Sequence, residues 1–143
     1  MTPQLTIINE TSLVIPLTRD LALAALRAVI EGEGHDYSFV EVVYVNEEGI
    51  TEINRKYLNH DYVTDIITFG YNETDQKGPI EATLFCCAPR ITEQAEELGV
   101  DVKSEFLRVF IHGLLHLTGY EDRSDEEKTI MRERESTYIN TIA

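Results

Sequence analysis

The segment 110–123, FIHGLLHLTGYEDR, limits what this chain can fold into more than any other segment does. His112 and His116 are four residues apart, so on a helix their side chains lie on one face, one turn apart. Zn²⁺ prefers imidazole nitrogens at ~2.0 Å in a tetrahedron, and one helical turn supplies two of them. Gly119 can end the helix in a left-handed conformation, and Asp122 follows three residues later. The spacing predicts one zinc ion held by His112, His116 and Asp122, with the fourth position open as in catalytic zinc sites.

Two helical histidines alone are weak evidence for a metal site. A glycine three residues after the second histidine, and a possible ligand six residues after it, reproduce the spacing of HExxHxxGxxH zinc hydrolases. The alternative is a core helix with two hydrogen-bonded histidines and a glycine cap. The helix can be packed without the histidines by four apolar residues, Phe106, Phe110, Leu114 and Leu117. The pattern therefore favours the metal site.

Gly113 occupies the position at which HExxH peptidases carry the glutamate that acts as general base. Glycine cannot transfer a proton, which argues against a peptidase of that mechanism. Because glycine has no side chain, we also hypothesise that Gly113 lets a large substrate approach the metal closely.

The charge of the chain limits its partners, because 12 Lys and Arg stand against 26 Asp and Glu, a net charge of −14 at pH 7. Proteins that bind free nucleic acid by counterion release are usually basic, so this balance argues against unaided RNA or DNA binding. The acidic runs over 93–101 and 121–135 are typical of solvated helix faces.

The adjacent Cys86 and Cys87 are typical of small apolar residues in a strand. No apolar stretch reaches the ~18 residues of a membrane span and no secretory signal is visible, so we expect a cytoplasmic protein without membrane contact.

Strands and helices follow one another without a linker, so we expect one domain over residues 1–143. Runs of β-branched and aromatic residues predict strands over 5–8, 38–45, 65–69 and 80–87. Caps and breakers predict helices over 18–30 (stopped by Gly32 and Gly34), 47–58, 89–99, 102–118 (capped by Asp101) and 124–140 (with a capping box of Ser124 and Glu127). Residues 71–79 predict a loop or hairpin connection. This order of elements is compatible with two fold classes, α/β and α+β, each with helices packed on a sheet.

The metal segment resembles the signature HGxLHLxGYDH of the YbeY family of endoribonucleases, the rRNA maturation factors. Residues 112–122 of this chain are HGLLHLTGYED. A second family block, LNxxYRxxDxPTDVLSF, is similar to residues 53–69, which contain INRKY at 53–57, Asp61 and TDIITF at 64–69. The order and separation of the two blocks also fit, so the resemblance covers most of the chain.

This resemblance implies a single α+β domain, with a small four-stranded mixed sheet flanked by about five helices, one of them a zincin-like metal helix. It implies one bound zinc and a single-strand-specific endoribonuclease that acts in 16S rRNA 3′-end maturation and ribosome quality control in the bacterial cytoplasm. The net charge disfavours free RNA, so either the metal supplies local positive charge or the small ribosomal subunit presents the RNA. We expect the second, with ribosomal proteins or a ribosome-assembly GTPase as partners. The alternatives are a zinc-dependent peptidase-like hydrolase, a non-enzymatic ribosome assembly factor with a structural zinc, and a binding module without metal.

Two positions depart from the family pattern. The third ligand of the family is usually histidine and here is Asp122, an acceptable zinc ligand that cancels one positive charge. We therefore expect a more alkaline pH–rate profile than in Asp122→His. Leu58 stands where the family usually carries an arginine thought to serve catalysis. Arg108 is a candidate to bind substrate in its place, because positions 108, 112 and 116 share one helical stripe; the alternative is a surface arginine paired with Glu105 or Asp101.

Two further acidic residues are candidates for the site. Glu121, beside the third ligand, is a candidate general acid or base, and the alternative is a solvated loop carboxylate. Asp65, at the start of the third predicted strand, is a candidate to bind and orient substrate. The alternative for Asp65 is a turn cap formed together with Thr64.

Overall fold

Four strands pair into one mixed sheet in the computed structural model, which describes residues 3–71 and 78–142. They are β1 (Gln4–Asn9), β2 (Tyr37–Val45), β3 (Ile66–Gly70) and β4 (Ile80–Cys87). The order in the sheet is β1–β2–β4–β3, in which only the β3–β4 pair is antiparallel. Each strand lies within one residue of its predicted bounds, since β-branched and aromatic runs fit a pleated, buried surface. The connection predicted over 71–79 lies for the most part outside the described residues.

Five α-helices surround this sheet in the described part of the chain: α1 (Arg19–Glu33), α2 (Glu47–Ile53), α3 (Ala88–Leu98), α4 (Val102–Leu117) and α5 (Asp125–Ile142). The helix predicted over 47–58 is α-helical only as far as Ile53 and continues as a π-helical turn, Asn54–Leu58. The mixed four-stranded sheet with its five helices confirms the predicted α+β class. Across residues 3–71 and 78–142, no helix is long and apolar enough to cross a membrane.

Both faces of the sheet are covered, and the alternation along β2 divides its side chains between two cores. Val40, Val42 and Tyr44 belong to the larger core, which also contains residues of α1, α3, α4 and α5. Val43 and Val45 belong to a smaller core on the side of α2. Successive side chains of a strand point to opposite faces, so a continuous apolar run is what a sheet covered on both faces requires.

The helix α4 packs on β3 and β4, and Gly113 is one point at which it meets them. A Cβ atom on Gly113 would lie 2.6 Å from Ile66 Cδ1 and 3.3 Å from Thr68 Cγ2. The missing side chain therefore makes room for the sheet and not for a substrate, so our hypothesis that Gly113 opens the metal to a large substrate is wrong. One residue further on, the Leu114 carbonyl accepts a hydrogen bond from the Tyr37 hydroxyl at 2.6 Å, which ties α4 to β2.

Local capping signals place most helix ends correctly. Thr18 Oγ1 accepts a hydrogen bond at the start of α1, as predicted. Ser124 and Glu127 form the predicted capping box: Glu127 N–H donates to Ser124 Oγ at 3.1 Å, and Ser124 N–H donates to Glu127 Oε1 at 2.9 Å. Asp101 is the N-cap residue of α4, but its side chain makes no capping hydrogen bond.

The end of α1 corrects one predicted helix stop. The helix continues through Gly32 and ends at Gly34, whose φ of 71° is left-handed. A Cβ atom on Gly32 would lie 2.2 Å from Tyr138 Oη. Gly32 therefore serves the packing of α5 on α1 and does not break the helix.

Candidate metal centre and groove

The chain turns back on itself at the C-terminal end of α4. Gly119, with a φ of 112°, donates its N–H to the His116 carbonyl at 3.1 Å. Tyr120 donates its N–H to the Leu115 carbonyl at 3.2 Å. These two bonds form a Schellman motif. As the glycine predicts, the turn brings Asp122 back beside the last turns of α4.

Three potential ligand atoms meet at this turn. Asp122 Oδ2 lies 3.3 Å from His112 Nε2 and 3.7 Å from His116 Nε2. All three ligand atoms lie within 4.8 Å of one another. Atoms placed ~2.0 Å from one ion at tetrahedral angles are about 3.3 Å apart, so this spacing fits a zinc-sized ion. His112, His116 and Asp122 can therefore hold a metal ion.

The other nitrogen of each imidazole is already engaged. His112 Nδ1 lies 2.5 Å from Glu135 Oε2, and His116 Nδ1 lies 2.9 Å from the Tyr120 carbonyl oxygen. Both partners are acceptors, so in the neutral imidazole we assign the proton to each Nδ1, which leaves the lone pair on Nε2. Hydrogen bonds of this kind fix the tautomer and orientation of metal-binding histidines. The site is thus arranged for coordination through the two Nε2 atoms.

Glu135 is the residue of the site that the sequence did not reveal. It projects from α5, is only 3% exposed, and also accepts a hydrogen bond from Arg108 Nη1 at 2.9 Å. A buried carboxylate is costly unless it is paired and hydrogen-bonded, and here both oxygens are used. The sequence does place Glu135 on the same helical stripe as Met131 and Tyr138. This stripe is buried in α5, whose other positions are mostly polar or charged, and the spacing could have indicated a buried carboxylate.

The electrostatics of the site favour a cation. Burial by itself lowers the pKa of His112, but the hydrogen bond to Glu135 and the negative charges of Glu135, Asp122 and Asp65 outweigh it and raise this pKa above its ordinary value. Groups that stabilise a proton on His112 stabilise any positive charge placed there. A divalent metal ion carries a larger positive charge than a proton, so the same groups favour its binding.

Arg108 lies on the stripe of α4 that carries the histidines, but α5 supplies its partners. Besides the bond to Glu135, its Nη2 donates to Ser136 Oγ at 3.2 Å. Arg108 therefore makes these hydrogen bonds to α5, while its charge also acts on Glu105 and partly offsets the rise that burial causes in the pKa of that carboxyl. Arg108 also borders the cavity that contains His112, where a substrate could contact it.

Asp65 and Glu121 both lie beside the ligands. Asp65 directly precedes β3; its Oδ2 accepts a hydrogen bond from Gln94 Nε2 at 3.2 Å, and its carbonyl accepts one from Cys87 N–H at 2.8 Å. The Glu121 side chain is 51% exposed and lies 3.7 Å from Arg123 Nε. Asp65 is therefore held by two hydrogen bonds, whereas Glu121 is half-exposed and lies beside Arg123.

The ligands lie at the junction of two cavities of about 500 Å³ each. The α-side cavity is bordered by α3, α4 and α5. The β-side cavity is bordered by the π-helical turn, β3 and the end of α4. Asp65, His112 and Asp122 border both. The two cavities meet at these three residues, and we call them together the groove; they leave room for a substrate on two sides of the candidate metal ligands.

The fold and this site define a class of protein, the small α+β domains in which a helix packed on the sheet carries two histidines that can hold a metal ion. A family model described as Endoribonuclease YbeY matches residues 7–143. The chain belongs to the YbeY family, which confirms the resemblance seen in residues 53–69 and 112–122.

Individual relatives agree with this assignment. The Endoribonuclease YbeY of Chlorobaculum parvum is 41% identical over 85% of this chain and 84% of its own length. That of Chlorobaculum tepidum is 40% identical over 94% of this chain and 95% of its own length. The solution structure of TM1509 from Thermotoga maritima has a TM-score of 0.66 and 28% identity, and the match covers 97% of this chain and 89% of that one.

Leu58, for which the resemblance led us to expect an arginine, borders the β-side cavity. Its side chain is 43% exposed, and it ends the π-helical turn. This wall of the groove therefore offers an apolar surface at position 58.

Proposed function

We propose that this protein is a zinc-dependent endoribonuclease that cuts unpaired RNA. The observation that carries the proposal is the set of three ligand atoms of His112, His116 and Asp122, which fits one zinc-sized ion at the middle of an open groove. Two imidazoles and one carboxylate leave one position open, as catalytic zinc sites do. The names of the relatives, which are endoribonucleases, support RNA as the substrate.

Each residue then has a role in the groove. When bound, zinc supplies Lewis acidity for phosphodiester cleavage. His112, His116 and Asp122 hold it. Glu121, exposed beside Asp122, accepts or donates the proton of the reaction. Arg108 and Asp65, which border the cavities next to His112, contact and orient the substrate.

We place this activity in 16S rRNA 3′-end maturation and ribosome quality control in the cytoplasm, with residues 1–143 acting as one hydrolase domain. The net charge of −14 supports presentation of the RNA by the small ribosomal subunit, because a free polyanion is repelled. Ribosomal proteins or a ribosome-assembly GTPase then supply the protein contacts.

The test uses end-labelled unpaired RNA, the same strand in a duplex, and small ribosomal subunits. Wild-type protein loaded with zinc should cut the unpaired RNA and not the duplex, and a chelator should abolish cleavage until zinc is restored. His116→Ala should be inactive yet folded, and Thr129→Ala, on the exposed face of α5, serves as the matched control. Stronger cleavage on subunits than on free RNA would support presentation by the ribosome.

Other outcomes would overturn the proposal in defined ways. Turnover of casein without turnover of RNA would indicate a peptidase-like hydrolase. Intact RNA with zinc-loaded protein, together with melting of His116→Ala, would indicate an assembly factor with a structural zinc. Protein purified without chelator that contains no metal would indicate a metal-free binding module.

A further inference from the structure

The charge of the groove raises the question of how RNA is bound at all. The α-side cavity does not reverse the net charge of −14, because its carboxylates outnumber its cations: Asp65, Glu97, Glu105, Asp122 and Glu135 against Arg90, Arg108, Lys128 and Arg132. Lysine and arginine side chains therefore give little net attraction for phosphate here, and the metal ion, when bound, is the main positive charge. Stacking of bases on aromatic rings does not depend on the charge of the protein and serves many proteins that bind single strands.

The β-side cavity carries a pair of rings suited to stacking. His60 borders this cavity together with His112 and His116. The His60 ring stacks on Tyr62, with centroids 5.1 Å apart and planes 18° apart. Tyr62 is 53% exposed, so the pair lies at the rim of the groove and not in a core. One face of the imidazole is thus supported by Tyr62, while the ring borders the space in which a substrate would lie.

Asn54 holds this ring pair in place. Asn54 is 1% exposed. Its side-chain Nδ2 donates a hydrogen bond to the Tyr62 carbonyl at 2.9 Å, and its backbone carbonyl accepts one from His60 N–H at 3.1 Å. Both ring-bearing residues are therefore tied to the buried first residue of the π-helical turn, an element frequent at functional sites. A platform fixed in advance loses little conformational entropy when a base stacks on it.

We propose that His60, supported by Tyr62, is a stacking subsite for one unpaired base of the RNA, on the β side of the metal centre. The inference rests on the proposed function, since it takes RNA as the substrate of this groove. A stacking subsite gives a physical reason why the protein would cut single strands, because a base in a duplex is already stacked and paired and cannot stack on His60. It also predicts a shallow salt dependence of binding, since stacking releases no counterions.

The experiment compares the KM and kcat of zinc-loaded protein on oligoadenylate and oligouridylate of equal length. Adenine stacks more strongly than uracil at the same phosphate charge, so wild type should favour oligoadenylate. His60→Ala should raise the KM for oligoadenylate about ten-fold and the KM for oligouridylate less. His60→Phe keeps a ring and should retain a KM close to that of wild type. Tyr57→Ala is the matched control, because Tyr57 is 59% exposed but packs on Phe69 and not on His60.

The outcomes separate this inference from the proposed function. If wild type cuts RNA but His60→Ala keeps the wild-type KM, or His60→Phe is as impaired as His60→Ala, the stacking subsite is wrong and the nuclease stands. If wild type cuts no RNA, the nuclease is wrong. Equilibrium binding of the same oligonucleotides then tests the stacking subsite by itself. If wild type does not prefer oligoadenylate, or if His60→Ala keeps that preference, the stacking subsite is wrong.

Discussion

Replacement of Glu135 is expected to weaken metal binding although Glu135 does not touch the ion. Loss of a hydrogen-bond partner of a metal-binding histidine typically costs 10- to 100-fold in metal affinity, about 1.4 to 2.7 kcal/mol. Glu135→Gln retains one acceptor oxygen that His112 Nδ1–H can reach but removes the charge, so its loss should be about ten-fold. Glu135→Leu leaves the Nδ1–H without an acceptor and Arg108 without its counter-ion, so its loss should approach 100-fold.

The assay is a competition titration of zinc between the protein and a chromophoric chelator, with Glu133→Gln on the exposed face of α5 as control. Because metal ligands must be deprotonated, the raised pKa of His112 lets protons compete with zinc at acid pH. Glu135→Gln removes the main group that raises this pKa, so the advantage of wild type should shrink as the pH falls through the raised pKa of His112 and level off below about 6.5, the ordinary value. Folded Glu135→Leu with wild-type zinc affinity would refute the role assigned to Glu135.

Three other substitutions test separate parts of the structure. Gly113→Val should lower the free energy of unfolding by about 1–3 kcal/mol in urea, because it overpacks the contact of α4 with β3; wild-type stability would contradict this packing. Asp122→His should move the pH–rate profile to lower pH, because a neutral ligand leaves more positive charge at the site; an unshifted profile would contradict this effect of the ligand charge. Burial raises the pKa of Glu33, but hydrogen bonds from Tyr138 and Arg134 outweigh it and lower this pKa. The ionised Glu33 therefore stabilises the fold above about pH 4.5, and this stabilisation is lost as the pH falls through the lowered pKa. Glu33→Gln should lower the free energy of unfolding by about 1–3 kcal/mol at pH 7 and by less in acid. A difference in unfolding free energy that stays constant with pH would contradict this role of Glu33.

The parts of the site that depend on neighbours in sequence were predictable. The helical spacing of His112 and His116 and the turn at Gly119 follow from one helix and its cap, and the backbone hydrogen bonds of that turn are local. The capping box at Ser124 is local in the same way. Short-range rules therefore predict both the ligand set and the helix boundaries around it.

The parts that depend on packing were not predictable. Glu135 and Arg108 meet because α5 packs on α4, and a sequence pattern in either helix does not specify that pairing. Residues 54–58 have ordinary helix-forming composition, and the π-helical turn there accompanies the tie between Asn54 and the loop that follows. Gly113 shows the same limit, since its contact with the sheet appears only in the folded chain.

The most direct test of the metal centre is zinc K-edge X-ray absorption on protein reconstituted with one zinc per chain. We predict a shell of nitrogen and oxygen ligands at about 2.0–2.2 Å, with the outer-shell pattern of two imidazoles. The spectrum of His116→Ala should show one imidazole. Sulfur at about 2.3 Å, or a His116→Ala spectrum identical to that of wild type, would contradict the assignment of His112, His116 and Asp122 as the metal ligands.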